Sequence, residues 1–283
     1  MRRYKILHRT YYNFTGSVTL GPHALRLRPR EDHELRIESS ILKITPTATL
    51  RWHRDVEDNS VAVASFNDPT SQLIIESEVI IQQYNLDPLD FLLADYAINY
   101  PFAYIPEDWA VLTPYTLPTE YTASDLLADW IKNLWRPDEQ IQTYSLLERI
   151  AAHIQQTVSY QRREEAGVQT ASETLTYGTG SCRDLANLFM EAVRHLGFAS
   201  RFVSGYLNAQ PSTINFGATH AWAEVFLPGA GWKGFDPSIG EIVGTDHIAV
   251  AVARTPELVP PVAGTFVGPS GTSLDVGVWV TSL

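Results

Sequence analysis

The chain holds one cysteine, Cys182, which ends a glycine-rich turn (Gly178-Thr179-Gly180-Ser181-Cys182) and opens a helical pattern. A single cysteine can form no intrachain disulfide and no cysteine-rich metal site, so its chemistry depends on placement. A thiol at a helix N-terminus meets the positive end of the macrodipole and unpaired backbone N–H groups. Both favour thiolate, the nucleophilic form. Such a nucleophile works with a base within hydrogen-bond reach, and the base with a group that orients it. Of the eight histidines, His195 lies 13 residues further along the same helix, roughly 20 Å away at ~1.5 Å per residue. His8, His23, His33 and His53 fall in a separate strand-rich region, and His153 falls on a preceding helix. His220 and His247 remain.

His220 opens the strand pattern His220-Ala221-Trp222-Ala223-Glu224-Val225-Phe226-Leu227, in which it shares a face with Trp222 and Glu224. Pro228-Gly229-Ala230 turns the chain, and Gly231-Trp232-Lys233-Gly234-Phe235-Asp236 runs back. A three-residue loop pairs Leu227 with Gly231 and sets Asp236 opposite Trp222. Asp236 is then on the His220 face, one diagonal step of about 7–8 Å away. A one-residue slip would turn it to the other face. Pro237 biases Asp236 toward extended backbone. Cysteine at a helix start, histidine on a strand and aspartate on the returning strand supply a thiol nucleophile, a base and an orienter. His247, after Asp246, either lines the cleft or simply ends a strand.

The elements that must hold these groups are legible too. Ser181 as N-cap with Asp184 three residues on is a variant of the capping box. Leu185, Leu188, Phe189, Ala192, Val193 and Leu196 form one apolar stripe of helical period, and Gly197 is placed to end it. A strand over 199–207 follows. Upstream, residues 1–85 read as a β domain: Tyr4, Ile6, His8, Thr10, Tyr12 and Phe14 alternate with mostly polar neighbours. Strand patterns recur at 34–44, 48–54, 61–66 and 72–84, which indicates an antiparallel sandwich-like domain. Residues 86–122, rich in proline and aromatics, read as an ordered connector. Residues 123–245 form the catalytic core, with helices from Ser124 to about Leu134 and from Thr143 or Ser145 to about Val158. Residues 161–177 read as a polar loop. Residues 246–283 read as a strand-containing tail that packs on the body. The fold class is α+β.

Composition sets the outer bounds. The chain is 45% hydrophobic and 19% charged, with a net charge of −11. Residues 1–30 nevertheless carry seven arginines or lysines and no acid, the pattern of a solvent face on alternating strands. The acidic remainder argues against nucleic acid as a partner. No run approaches a membrane span, and the first residues lack the apolar core of a signal peptide. A cytoplasmic protein with no membrane partner is expected, and one unpaired cysteine agrees with a reducing compartment.

Three segments, Gly178–Ala186, Thr219–Val225 and Gly231–Ser238, resemble the motif blocks of the transglutaminase-like superfamily. More narrowly, the chain resembles bacterial transglutaminase-like proteins provisionally labelled cysteine proteases, whose N-terminal β domain opens much like Tyr4-Lys5-Ile6-Leu7-His8-Arg9-Thr10. The resemblance spans nearly the full length. It implies a papain-like core with Cys182, His220 and Asp236 as the triad, and acyl transfer through a thioester on a peptide or protein substrate. Hydrolysis of peptide or amide bonds is the leading expectation. Glutamine–amine cross-linking, with an amine acceptor, is the alternative, and a binding protein with an idle site and a working β domain is the third. The Cys182 backbone N–H is the expected oxyanion donor, with Tyr160 and Trp222 as side-chain candidates. No cofactor and no metal are expected, because the spacing offers no calcium loop.

Overall fold

The computed structural model describes residues 1–84, 87–119, 125–163, 165–208, 219–269 and 271–283. Arg2–Leu20 is the central strand of the N-terminal half. Its residues alternate, with Tyr4, Ile6, His8 and Thr10 buried and Lys5, Leu7 and Arg9 turned outward. It pairs antiparallel with Thr70–Gln83 on one side and with Thr272–Ser282 on the other, Tyr4 lying opposite Ser282 and Phe14 opposite Thr272. Leu35–Thr45 extends the sheet. A second antiparallel sheet holds Val262–Ala263, His23–Leu25, Ser60–Ser65 and Thr49–Arg54 in that order. Phe14, Val18, Leu20, Leu73 and Ile75 of the first sheet share one apolar cluster with Leu25, Ala62 and Ala64 of the second. The basic N-terminal segment finds acids on neighbouring strands. Arg3 meets Glu38 at 2.7 Å, Lys5 meets Glu78 at 2.8 Å, and Arg9 meets Glu76 at 2.7 Å. Exposed pairs of this kind add little stability.

Residues 246–283 are not one tail. His247–Ala253 joins a different sheet by pairing with Ser200–Leu207, whereas Val262–Ala263, Phe266–Val267 and Thr272–Ser282 complete the two N-terminal sheets. The chain therefore closes on its own first strand. No local pattern can announce this, because the partner lies at the other end of the sequence.

The other half is built on an antiparallel sheet in the order Glu241–Ile242, Gly231–Asp236, His220–Leu227, Ser200–Leu207, His247–Ala253. Among the described residues, five α-helices accompany it: α1 (Pro106–Thr116), α2 (Asp125–Lys132), α3 (Thr143–Thr157), α4 (Ala171–Tyr177) and α5 (Cys182–His195). Helix α4 replaces part of the loop expected over 161–177. Its seven residues are too few for a periodic stripe, but Thr170 and Glu173 form a capping box at its start. Ser124, the expected cap of α2, lies outside the described residues. Leu146, Leu147, Ile150 and Ile154 of α3 and Leu185, Leu188, Phe189, Ala192 and Val193 of α5 bury against Ala221, Ala223, Val225 and Phe235 of the sheet. The aromatic connector is part of this body: Tyr100 stacks on Phe198 at 5.1 Å, and the Tyr104 hydroxyl donates to the Phe226 carbonyl at 2.9 Å. No helix among the described residues is long and apolar enough to cross a membrane.

The halves meet through a second apolar cluster. Tyr4, Ile6, Leu35, Val79, Ile81 and Val278 face Tyr206, Ile248 and Val250 of the other half's sheet. Asn59, fully buried, caps the edge strand by donating to the Val252 carbonyl at 2.7 Å and accepting from the Val252 N–H at 2.8 Å. At this junction His8 hydrogen-bonds with Thr10 at 2.9 Å and with the Tyr206 hydroxyl at 3.2 Å. Burial pushes its imidazole down to about 4. The unfolded chain takes up that proton near pH 6.5 and the folded chain only near pH 4. Stability is thus lost as pH falls through this window, by roughly 2 kcal/mol at pH 5. Urea unfolding at pH 7 and pH 5 should show a larger drop for the wild type than for His8→Gln. Equal drops would place the acid sensitivity elsewhere.

Candidate active site

Cys182 is the first residue of α5, and the turn before it is fastened from several sides. The Asp184 carboxylate accepts from the Ser181 N–H at 2.8 Å, the Ser181 hydroxyl at 2.7 Å, the Gln169 N–H at 2.8 Å and the Arg163 guanidinium at 2.7 Å. Burial alone would raise the Asp184 carboxyl, but these bonds outweigh it and hold it below its ordinary value. At the other end Gly197 adopts φ +86°. Phe198 N–H reaches the Val193 carbonyl at 3.0 Å and Gly197 N–H the Arg194 carbonyl at 2.9 Å, the paired bonds of a Schellman cap. With both ends capped and one stripe buried, Cys182 is held on a rigid element.

His220 and Asp236 are set by the hairpin. Leu227 pairs with Gly231 and Ala223 with Phe235, the register that a three-residue loop dictates. The side chains close the remaining diagonal gap, and His220 Nε2 meets Asp236 Oδ2 at 2.6 Å. The other ring nitrogen, Nδ1, is not engaged by Asp236, and Cys182 is near enough to His220 to favour its charge. The second carboxylate oxygen, Oδ1, accepts from the Ser238 N–H at 2.9 Å and the Ser238 hydroxyl at 2.6 Å. His220 and Asp236 are both buried. Burial is the largest influence on His220 and disfavours its charge. The Asp236 charge and hydrogen bond, and then the neighbouring Cys182, outweigh it and push the imidazole up to about 10. Burial would likewise raise Asp236, but the His220 charge and the hydrogen bonds of His220 and His247 hold it well below the usual carboxylate range. The buried pair is therefore carboxylate and imidazolium at neutral pH.

The three further residues take different places. Tyr160 is half-buried on a short parallel pairing, Tyr160 opposite Gly180. Burial first, and then the neighbouring Cys182 charge, push its hydroxyl up to about 12. Trp222 is buried, its ring 6.2 Å from that of His220 and edge-on to His247 at 5.1 Å. Its indole nitrogen is sealed from solvent and finds no partner among the described residues. Gly205 makes room for it: a Cβ there would lie 2.4 Å from the indole. His247 is also buried and bonds to Asp236 Oδ2 at 3.0 Å. The ligand atoms of His220, Asp236 and His247 lie within 4.8 Å of one another. The 2.6 and 3.0 Å separations are nevertheless hydrogen bonds, tighter than the ~3.3 Å edge of a tetrahedral zinc site with ~2.0 Å bonds. They suit a shared proton better than an ion.

Residues 4–82 match the bacterial transglutaminase-like N-terminal region, and residues 136–237 match the transglutaminase-like superfamily. An uncharacterized protein of Mycobacterium tuberculosis is 27% identical over 298 residues, covering 98% of this chain and 91% of its own length. One from Mycobacterium leprae is 24% identical over 288 residues and covers both chains completely. Among solved structures, a Cytophaga hutchinsonii protein provisionally named a cysteine protease aligns with a TM-score of 0.75 at 19% identity. That alignment covers 100% of this chain and 91% of the other, and it shows a shared fold. The chain therefore joins a bacterial transglutaminase-like N-terminal region to a core of the transglutaminase-like superfamily.

Proposed function

We propose that the protein is a thiol-dependent enzyme that cleaves peptide or amide bonds by acyl transfer, with Cys182, His220 and Asp236 as its triad. One observation carries this reading: a buried imidazole bonded to a buried carboxylate at 2.6 Å neighbours the only thiol of the chain, at the first residue of a capped helix. The charged His220 is the counter-ion of the Cys182 thiolate. The thiolate attacks the carbonyl carbon, and the tetrahedral oxyanion finds the Cys182 backbone N–H, with the Tyr160 hydroxyl as a second donor. The C–N bond then breaks, its electron pair stays on nitrogen, and His220 Nδ1 gives its proton to that amine. A thioester on Cys182 is left. Water, deprotonated by His220, attacks the thioester and releases the acid. Asp236 keeps the ring oriented in both half-reactions and stabilises its charge whenever it holds the second proton.

The test is to trap the acyl group on Cys182 from a peptide mixture by acid quench and to identify it by mass. Incubation in water and with an added primary amine then separates hydrolysis from cross-linking. Product that forms only with amine would replace hydrolysis by transglutamination. A failure to acylate Cys182 from any peptide pool, together with free-thiol alkylation kinetics, would overturn the enzyme reading.

A further inference from the structure

Asp236 is bound by two histidines. Oδ2 accepts from His220 Nε2 at 2.6 Å and from His247 Nε2 at 3.0 Å, while Oδ1 is committed to Ser238. His247 lies beyond residues 136–237, the stretch that matches the superfamily core. It opens the edge strand His247–Ala253, which reaches Asp236 only because that strand pairs with Ser200–Leu207. Its tautomer follows from its partners. The Gly244 N–H donates to His247 Nδ1 at 3.3 Å, so the ring proton sits on Nε2 and points at the carboxylate. Trp222 holds the ring edge-on at 5.1 Å. His247 thus presents its Nε2–H donor to Asp236, and that donor is spent on the oxygen that orients His220.

We propose that His247 is a positioning residue that shares Asp236 Oδ2 with His220 and so limits how strongly Asp236 holds the His220 proton. The proposal rests on the triad reading and adds a fourth member to it. An oxygen with two donors gives less of its charge to each, so the His220–Asp236 bond is weaker than it would be alone. A moderated bond matters because His220 must release its Nδ1 proton to the leaving amine. Over-stabilised imidazolium is a poor acid. The second donor also blocks the carboxylate from tilting toward His220, which keeps the ring turned to Cys182. The charged groups that share the cleft with His247 are Arg30, Asp32, Glu34, Arg201, Glu224 and Lys233; none of them appears in the bonds to Asp236 given above.

The experiment compares full-length wild type, His247→Leu and His247→Gln at pH 7 by proton NMR with selective 15N-histidine labelling. In wild type the His220 and His247 Nε2–H protons should both be protected from exchange. His247→Leu should move the His220 Nε2–H resonance further downfield, as expected of a shorter bond to a singly occupied oxygen. His247→Gln, whose amide can restore a donor near Nε2, should return it toward the wild-type position. If His247→Leu does not fold, His247→Asn withdraws the donor while staying polar and should give the same downfield shift. An unchanged His220 resonance in a folded donor-less variant would overturn the proposal alone. A wild-type His220 that is neutral at pH 7, or a Cys182 that iodoacetamide fails to alkylate below pH 7, would overturn the triad reading and this proposal with it.

Discussion

His220→Gln should change the pH dependence of Cys182 alkylation more than any other single substitution in the site. In wild type, His220 is pushed up to about 10 by Asp236 and by the neighbouring Cys182, so an imidazolium neighbours the sulfur throughout the neutral range. Iodoacetamide should then label Cys182 below pH 7 with little dependence on pH. Glutamine fills similar space but carries no charge. The variant should regain the slope of an ordinary thiol, about tenfold per pH unit up to roughly pH 8.5. The slope is a better discriminator than the absolute rate, because a thiolate of low basicity is also a weaker nucleophile. A single cysteine simplifies the measurement, since any thiol label is on Cys182. Acyl transfer should fall by about 10³-fold or more in the same variant, because general acid and counter-ion are lost together. A wild-type profile that already rises tenfold per unit would remove the ion pair from the mechanism.

How much of this site could be read in the sequence depended on the distance between the interacting residues. The capped start of α5 is local: Ser181, Asp184 and the apolar stripe lie within four turns, and each is a short-range physical requirement. The hairpin is nearly local, because a loop of three residues and the twofold period of a strand fix which residues share a face. Those two rules bring His220 toward Asp236 before any tertiary contact is known. His247 escapes them. Its contact with Asp236 runs through the pairing of His247–Ala253 with Ser200–Leu207, on the far side of the hairpin strands in the sheet. The division of residues 246–283 escapes for the same reason, as Thr272–Ser282 pairs with Arg2–Leu20. Trp222 shares a face with His220 as alternation requires, yet alternation does not reveal that its indole N–H is sealed. Helix α4 was hidden by its length, and only the Thr170–Glu173 box marked it.

Arg194→Met should be the most destabilising substitution of a charged residue away from the triad. Arg194 and Glu191 are both buried on α5 and pair at 3.0 Å. Arg194 also donates to the carbonyls of Tyr115 at 3.1 Å, Ser200 at 2.8 Å and Arg254 at 2.5 Å. Glu191 accepts from the Thr119 N–H at 3.0 Å and hydroxyl at 2.9 Å. Methionine would fill much of the volume but would strand a buried carboxylate and three carbonyls. Removing one partner of a buried ion pair costs about 3–5 kcal/mol. Glu191→Gln should cost less, because the amide still accepts from Thr119 and the Arg194 charge keeps its three carbonyl partners. Urea unfolding of the two variants checks this order, and equal losses would show that the charge pair, not the carbonyl set, dominates. The network ties residues 115–119 and the first strand of the catalytic sheet to the C-terminal part of α5, whose first residue is Cys182. It lies more than two helical turns from the thiol, so it should set the stability of the helix without setting the charge at its start. Folded Arg194→Met should therefore keep the flat wild-type alkylation profile while unfolding at lower urea. A steepened profile would mean that the position of Cys182 depends on the whole length of α5 and not on its N-terminal cap alone.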